Sequence, residues 1–544
     1  MNRRNFIKLS ASASVIGLTP IQLQAALKTF MPYMECPDIS NRKLVLINLA
    51  GGNDGLNTVV PLNQYDIYSN LRPNIKVPIS GTSKFINLDS TLADNQQIGL
   101  NPALTGFKSL YDKGWLRVLQ SVGYPSQNRG HFTSTDLYLT GNDGNSLSNG
   151  EETGWMGRFM ERFYSDLIVE SFPLGIQIGS AKTSLGFHGE EAHGLSLNLT
   201  RQDPAGFYSI LNGLAGEPLL NFPDSDYGDQ LRYLTNTDAL TNTYAQYISS
   251  AFNKGKNGAS YPDNDLANQL KTVARLISGD LGTKIYMVRI SGFDTHDAQV
   301  QASGDPTGRH FNLLSDLSES VSAFMDDLEN QNLADDLVGL TFSEFGRKAA
   351  ENGNHGTDHG EIAPMFVFGK PVHGGVSGTN PDLTEATNNN NYQLKTVQYD
   401  YRQTFGTLLQ NFLGADDTII NATFFNHTLN DSFNNLKITE LIKGAYDVST
   451  GCIPTTQNTL EENKHWLIYP NPFRDIVNIS GINEIDTVSY KIYNASGVLL
   501  IDSYGSILDG KLSINLFRYS SGIYFFEIAA TSGGKKEIHK VIKL

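Results

Sequence analysis

The chain has 544 residues, of which 40% are hydrophobic, so it is long enough for one large domain with additional segments. Its 41 lysines and arginines against 56 aspartates and glutamates give a net charge of −15 without long runs of either sign, which argues against a nucleic-acid-binding surface. No uninterrupted apolar run reaches the roughly 18 residues that a spanning helix needs, so no transmembrane helix is expected.

The first 30 residues have the plan of an export signal. A basic start with Arg3 and Arg4 precedes a mildly apolar stretch, Leu9–Leu23, and then two small residues. The residues Arg3–Lys8 resemble a twin-arginine signal, whose apolar region is typically mild. A basic amphipathic N-terminal helix is the alternative interpretation.

Between about residues 40 and 440, apolar runs alternate with amphipathic stretches. The runs are KLVLINLA, WLRVLQSVG, KIYMVRI, LVGLTF and MFVFG. Continuous apolar strands that alternate with helices predict an α/β domain with a mainly parallel sheet sandwiched by helices. One helix is legible after Gly308, where apolar residues recur at spacings of three or four from Phe311 to Leu328.

The pattern changes after residue 440. Residues 441–465 read as a polar linker, and residues 466–544 show short segments of period two with frequent turns, which predicts a small antiparallel β-sandwich. The order YPNPF, then Gly497, then SGIY and a lysine-containing last strand resembles the type A C-terminal sorting domain of the type IX secretion system. This resemblance implies the type IX machinery as a partner and export through the periplasm to the cell surface or medium. A carbohydrate-binding sandwich is the alternative.

The chain contains two cysteines, Cys36 and Cys452, which flank the central region. They could form one disulfide in an oxidising compartment or remain free, and the sequence leaves both states open.

Two glycine- and acid-containing turns follow predicted strands. Asp54 lies in LAGGNDGLN, where a carboxylate on a flexible turn could reach a metal, although the same residues also make a plain turn. Asp294 and His296 lie in FDTHDAQ and could converge on a metal, or the histidine could simply hydrogen-bond to a neighbouring acid. His310 could be a further ligand or a helix cap.

The stretch LTFSEFGRKAAENGNHGTDHG concentrates potential ligands after another strand. Glu344 and Arg347 follow the strand directly, and His355, Asp358 and His359 come within the next fifteen residues or so. Adjacent Asp and His in a turn bracketed by glycines favour a metal-binding or catalytic loop.

The stretch GYPSQNRGHFTSTDLYLTG places hydroxyl groups beside basic residues near a predicted helix start. Thr133 and Ser134 are candidate nucleophiles, and Arg129 and His131 lie close to them in the chain. A nucleophile at a helix N-terminus with an arginine to hold an anion is suited to phosphoryl or sulfuryl transfer.

Taken together with TGWMGR, VHGGVSG and DYR, these stretches resemble the domain of unknown function 1501 family, which is similar to the alkaline phosphatase and sulfatase superfamily. The resemblance implies divalent metal ions at the strand ends. Their expected ligands are Asp54, Asp294, His296, Asp358 and His359, and Glu344 could take the strand-end ligand position instead of the Asp358–His359 pair.

One position departs from the family, because Gly130 stands where a serine is usual. Thr133 or Ser134 could replace that hydroxyl, or a water on the metal could attack directly. The sequence therefore predicts an exported, metal-dependent hydrolase of phosphate or sulfate esters, with Arg129 or Arg347 steadying the anion. The alternative is a catalytically inactive cell-surface binding or assembly protein that keeps this fold.

Overall fold

The computed structural model describes residues 39–142, 153–167, 172–179, 185–189, 196–199, 244–301, 307–424, 438–444, 467–469, 473–480, 487–494, 498–506, 511–530 and 537–543. The chain divides into two compact units, Met1–Thr456 and Gln457–Leu544. The predicted export signal, Cys36 and Cys452 lie outside the described residues. Among the helices that are described, none is both long and apolar enough to cross a membrane.

The strands of the first unit are β1 (Lys43–Ala50), β2 (Val59–Pro61), β3 (Ile86–Asn87), β4 (Ile98–Leu100), β5 (Leu116–Gly123), β6 (Gly175–Ile178), β7 (Ser196–Leu199), β8 (Ile285–Ser291), β9 (Leu337–Phe342), β10 (Ala363–Phe368), β11 (Gly375–Ser377) and β12 (Tyr399–Asp400). Its helices are α1 (Gly55–Thr58), α2 (Tyr65–Leu71), α3 (Thr105–Asp112), α4 (His131–Thr140), α5 (Trp155–Phe163), α6 (Asp265–Ser278), α7 (Arg309–Asn330), α8 (Tyr401–Asn411) and α9 (Asp417–Thr423). Residues 244–254 are helical as well.

The main sheet has the order β11-β5-β10-β9-β1-β8-β6-β7, with β12 also paired to β5. Every pairing in it is parallel except those of β10, which runs antiparallel to both β5 and β9. The predicted mainly parallel α/β sheet is thus confirmed. The reversal of β10 matters for the site, because the long connection 343–362 enters β10 at the sheet edge where β9 ends.

Helices cover both faces of this sheet. In β1, Val45, Ile47 and Leu49 contribute to one buried cluster, whereas Leu44 and Leu46 contribute to the other. Both faces of a central strand are therefore buried, which is why its sequence is an unbroken apolar run. The amphipathic helix predicted after Gly308 is confirmed as α7, whose Leu314, Leu317, Val321, Phe324 and Leu328 are buried.

The second unit is all-β, as predicted. Its strands are β13 (Leu467–Tyr469), β14 (Ile476–Ser480), β15 (Thr487–Asn494), β16 (Leu499–Ser506), β17 (Leu512–Asn515), β18 (Gly522–Ala530) and β19 (Glu537–Lys543). They form two antiparallel sheets, β13-β14-β17 and β16-β15-β18-β19. Val477 and Ile514 of the first sheet share a buried cluster with Ile492, Phe526 and Val541 of the second.

Candidate metal centre

Three adjacent parallel strands end at one edge of the main sheet and supply the loops of the site. β1 lies between β9 and β8, and each of these three strands continues directly into a glycine- or acid-containing loop. β5 has the same direction as β9 and leads to α4, which begins at His131. Functional residues of an open parallel sheet gather outside the carboxyl ends of its strands, and these loops follow that rule.

Three imidazoles and one carboxylate converge at this edge. Asp294 Oδ1 lies 3.2 Å from His296 Nε2 and 3.4 Å from His359 Nε2, and Asp294 Oδ2 lies 3.5 Å from His131 Nε2. The Nε2 atoms of His296 and His359 are 2.9 Å apart. Ligand atoms of His131, Asp294 and His359 all fit within 4.8 Å of one another. We call these four residues the convergent group.

The other ring nitrogen of each histidine faces an acceptor. His131 Nδ1 lies 2.9 Å from Glu344 Oε1, and His296 Nδ1 lies 3.3 Å from Asp358 Oδ1. His359 Nδ1 lies 2.8 Å from the carbonyl oxygen of Arg129. Carboxylates and carbonyls only accept, so each Nδ1 carries the proton and donates it. Each Nε2 is then left with a lone pair directed at Asp294 and the other rings, which is how metal-ligating histidines are usually held.

This arrangement fits a divalent cation. Two Nε2 lone pairs at 2.9 Å repel each other unless a proton or a metal lies between or beside them. Four donors at zinc-like distances from one tetrahedral ion are about 3.4 Å apart, close to the separations between Asp294 and the three rings. Imidazole nitrogens with one carboxylate suit zinc and neighbouring transition metals better than calcium or magnesium.

Electrostatics at the convergent group favours the ligand forms of two residues. Burial works against ionisation of Asp294, but the hydrogen bond and charge of Arg347 lower its pKa overall. Burial, helped by the charge of Arg347, lowers the pKa of His359 and so favours its neutral ring. The pKa of His131 is raised, mainly because its ring donates to Glu344. A cation at Nε2 would compete with the second proton of a charged His131 ring, so metal binding should weaken as the pH falls.

Two expected ligands, Glu344 and Asp358, instead contact histidine rings at Nδ1, on the side away from Asp294. Glu344 is buried and accepts from His131 Nδ1 and from the Gly51 amide, both at 2.9 Å. Asp358 accepts from His296 Nδ1 with one oxygen and pairs with Lys348 at 3.1 Å through the other. Both carboxylates therefore orient histidines in this structure.

The side-chain hydrogen bonds of Asp54 go to residues outside the convergent group. Its carboxylate is fully buried and pairs with Arg72 Nη1 at 2.6 Å, while Gln299 Nε2 donates to the same Oδ2 at 2.5 Å. Burial raises the pKa of Asp54 but the charge and hydrogen bond of Arg72 outweigh that effect and lower it. His310, the other expected participant, is buried and its Nε2 lies 3.0 Å from Asn53 Oδ1.

Arg347 links three loops of the site through hydrogen bonds. Its guanidinium is buried and donates to the carbonyls of Gly51, Gly52 (2.7 Å) and Thr357 (2.8 Å), as well as to Asp294 Oδ1 at 2.7 Å. Most of its donors thus hold the loops after β1, β8 and β9 around Asp294.

The stretch around α4 brings the His131 ring to the convergent group and leaves the Ser134 hydroxyl outside it. Ser134 is buried, donates to the Glu344 carbonyl and lies 3.1 Å from the Tyr124 hydroxyl, so it faces the core. Thr133 is half-buried, whereas Arg129 and Gly130 are exposed. The sequence grouped His131 with the candidate catalytic residues. Its position beside Asp294 follows from β5, which ends at the same sheet edge as β9.

Two family models match separate parts of the chain. Residues 241–416 match the protein of unknown function DUF1501, and residues 467–544 match the secretion system C-terminal sorting domain. The chain carries a DUF1501 region and a secretion sorting domain. The DUF1501 match includes Asp294, His296 and His359, whereas His131 precedes it. The sorting domain indicates export to the cell surface or extracellular space and implies interaction with the type IX secretion machinery.

Solved structures resemble this chain with TM-scores below 0.5. PorZ, a surface component of the type IX secretion system of Porphyromonas gingivalis, is 25% identical to the matching part of this chain. The match covers 14% of this chain and 11% of PorZ, with a TM-score of 0.13. An alkaline phosphatase superfamily protein from Vibrio parahaemolyticus is 9% identical, covering 87% of this chain and 86% of its own, with a TM-score of 0.28. The PsFucS1 sulfatase from Pseudoalteromonas sp. is 10% identical, covering 93% and 88%, with a TM-score of 0.31.

These TM-scores lie between 0.13 and 0.31, so the chemistry of this chain does not follow from them. No curated protein matches its sequence.

Proposed function

We propose that this exported protein is a divalent-metal-dependent hydrolase of phosphate or sulfate esters, and that His131, Asp294, His296 and His359 hold the metal. The observation that carries the proposal is the tethering of all three rings at Nδ1, which turns three Nε2 lone pairs toward one carboxylate. The sequence resemblance to the alkaline phosphatase and sulfatase superfamily supplies the ester class.

The convergent group is open to solvent, which favours a catalytic metal over a purely structural one. The side chains of Asp294 and His296 are 44% and 43% exposed, and that of His131 is 33% exposed. Catalytic zinc sites keep a coordination position for water or substrate and can expand to five ligands, and the exposed side of the convergent group would give such a fifth position access to solvent. A divalent cation held there would polarise an ester oxygen and lower the pKa of a water molecule.

The residues of the chain supply binding and orientation in this proposal. Glu344 and Asp358 fix the rings of His131 and His296, and Arg347 fixes Asp294. Arg129 is exposed, and its own carbonyl oxygen accepts from His359 Nδ1. The Arg129 guanidinium is the proposed contact for the anionic ester. Water is the proposed attacking group, because the Ser134 hydroxyl is buried against Glu344.

The test begins with metal content. Mass spectrometry of the full chain should find a divalent metal, and His359→Ala should lose it. His373→Ala is the matched control, because His373 is an exposed histidine outside the convergent group. The metal-loaded protein should then hydrolyse aryl phosphate or aryl sulfate esters, and Arg129→Ala should raise KM more than it lowers kcat. A metal-loaded protein inert on a broad ester panel would refute the hydrolase assignment.

Gly130 motivates the second candidate, a non-catalytic surface binding or assembly protein. Its backbone is extended (φ −95°), and an added Cβ would meet only Asn128 Oδ1, at 3.1 Å, so Gly130→Ser requires a small shift of that side chain and no change of backbone conformation. Hydrolysis gained only in that variant would support the non-catalytic candidate. Hydrolysis by the natural chain would eliminate it and would show that a serine at this position is unnecessary.

A further inference from the structure

Gln299 is a buried amide that contacts three side chains behind the convergent group. It is 0% exposed. Its Nε2 donates to Asp54 Oδ2 at 2.5 Å, and its Oε1 accepts from Thr295 Oγ1 at 3.0 Å and from Thr357 Oγ1 at 2.9 Å. A carboxylate only accepts, so Nε2 must face Asp54 and Oε1 must face the two hydroxyls. The orientation of the amide is therefore fixed.

The two threonines lie inside the ligand loops. Thr295 separates Asp294 from His296, and Thr357 precedes Asp358 and His359 by one and two residues. The backbones of these loops also meet directly, since the Thr357 amide donates to the Thr295 carbonyl at 3.1 Å. The single amide oxygen of Gln299 thus joins both loops at their closest approach.

The other end of Gln299 is anchored in the core. Asp54 is paired with Arg72, and Arg72 also donates to the carbonyls of Lys348 and Ala349, both at 2.8 Å. These carbonyls belong to the connection that leads to His359. The ion pair therefore fixes both the acceptor of the Gln299 amide and the start of the loop that carries a ligand.

We propose that Gln299 is a positioning residue that couples the buried Asp54–Arg72 ion pair to the affinity of the metal centre. This inference rests on the proposed metal centre. Among the described residues, Gln299 makes its side-chain hydrogen bonds to Asp54, Thr295 and Thr357 and not to the convergent group. Its loss therefore leaves the donor set unchanged and relaxes the spacing between the His296 and His359 loops. Partners that orient ligands typically contribute about 10–100-fold to metal affinity.

The test is a chelator competition that measures the affinity of the full chain for Zn²⁺ alone. Gln299→Leu removes the three contacts at similar volume and should weaken Zn²⁺ binding about tenfold or more. Gln410→Leu is the matched control, because Gln410 is also buried and donates to a carboxylate, that of Asp417 at 2.7 Å, without touching the ligand loops. Urea unfolding of both variants in chelator separates lost affinity from lost stability.

Two further variants keep the inference testable if Gln299→Leu does not fold. Thr357→Val removes one hydroxyl contact and should weaken Zn²⁺ binding by a smaller factor. Thr295→Val removes the other hydroxyl contact and should likewise weaken Zn²⁺ binding by a smaller factor than Gln299→Leu. Affinity of Thr357→Val and Gln299→Leu equal to that of Gln410→Leu would overturn the positioning role alone. Absence of Zn²⁺ binding by the natural chain would overturn the metal centre as well.

Discussion

Replacing Arg72 by methionine should destabilise the first unit strongly, because it strands a buried carboxylate. Arg72 and Asp54 are both 0% exposed in their side chains. Arg72 donates to Asp54 at 2.8 and 2.6 Å, to Asn57 Oδ1 at 2.7 Å and to two backbone carbonyls. In Arg72→Met the charge of Asp54 would keep only the hydrogen bond from Gln299 among these side-chain contacts.

The expected magnitude follows from which partner is left behind. Removing one member of a buried ion pair costs about 3–5 kcal/mol, because the other charge stays desolvated and unpaired. Asp54→Asn should cost less, about 1.5–3 kcal/mol, since Arg72 keeps Asn57 and two carbonyls as acceptors. The double variant should cost less than the sum of the single variants, because neither charge then remains.

Urea unfolding of the full chain in chelator, followed by circular dichroism, gives these free energies. Metal content measured on the same variants separates two roles for Asp54. If Asp54 acts only through Arg72 and Gln299, Asp54→Asn loses stability and binds metal with weakened affinity. An Arg72→Met cost under about 1 kcal/mol, typical of a surface substitution, would refute the reasoning. Metal loss in Asp54→Asn at unchanged stability would make Asp54 a ligand after all.

Three further outcomes follow from the site and its surroundings. Burial lowers the pKa of His310 to about 4 in the folded chain, so as the pH falls the unfolded chain binds a proton before the folded chain does. The free energy of unfolding should therefore fall as the pH drops from about 6.5 to about 4. His310→Gln should flatten that dependence in urea titrations across this range. Gly356→Ala should weaken Zn²⁺ binding, because its Cβ would lie 2.4 Å from the His296 backbone, whereas Gly353→Ala meets nothing within 4 Å and should bind like the natural chain. Asp358→Ala should weaken Zn²⁺ binding about 10–100-fold and Asp294→Ala should abolish it; equal losses in chelator competition would contradict their different contacts.

The strands that carry the site were predictable because their sequences are buried on both faces. KLVLINLA and LVGLTF coincide with β1 and β9, and the helical spacing after Gly308 coincides with α7. The reversal of β10 was not predictable from its apolar run, since strand direction depends on which neighbours the strand joins. Because β10 is reversed, it begins just after His359 at the same sheet edge where β9 ends.

The site was predictable by residue type and less so by contact. Asp294, His296 and His359 were expected as ligands, and the structure brings them together. Glu344 and Asp358 were also expected as ligands, but sequence cannot tell a carboxylate that would bind a metal from one that accepts a ring N–H. The pairing of Asp54 with Arg72 could not be predicted either, because the sequence does not distinguish a buried arginine at the end of a short helix from an exposed one.

The convergent group is assembled from distant parts of the chain, at residues 131, 294, 296 and 359. An unfolded chain offers only one closely spaced pair of these donors, so the proposed metal would bind the folded state almost exclusively. Free metal then raises the free energy of unfolding in proportion to the logarithm of its concentration above the dissociation constant. Once exported, the same protein would persist longer in metal-rich surroundings than in metal-poor ones, and its lifetime outside the cell would report the metal supply there.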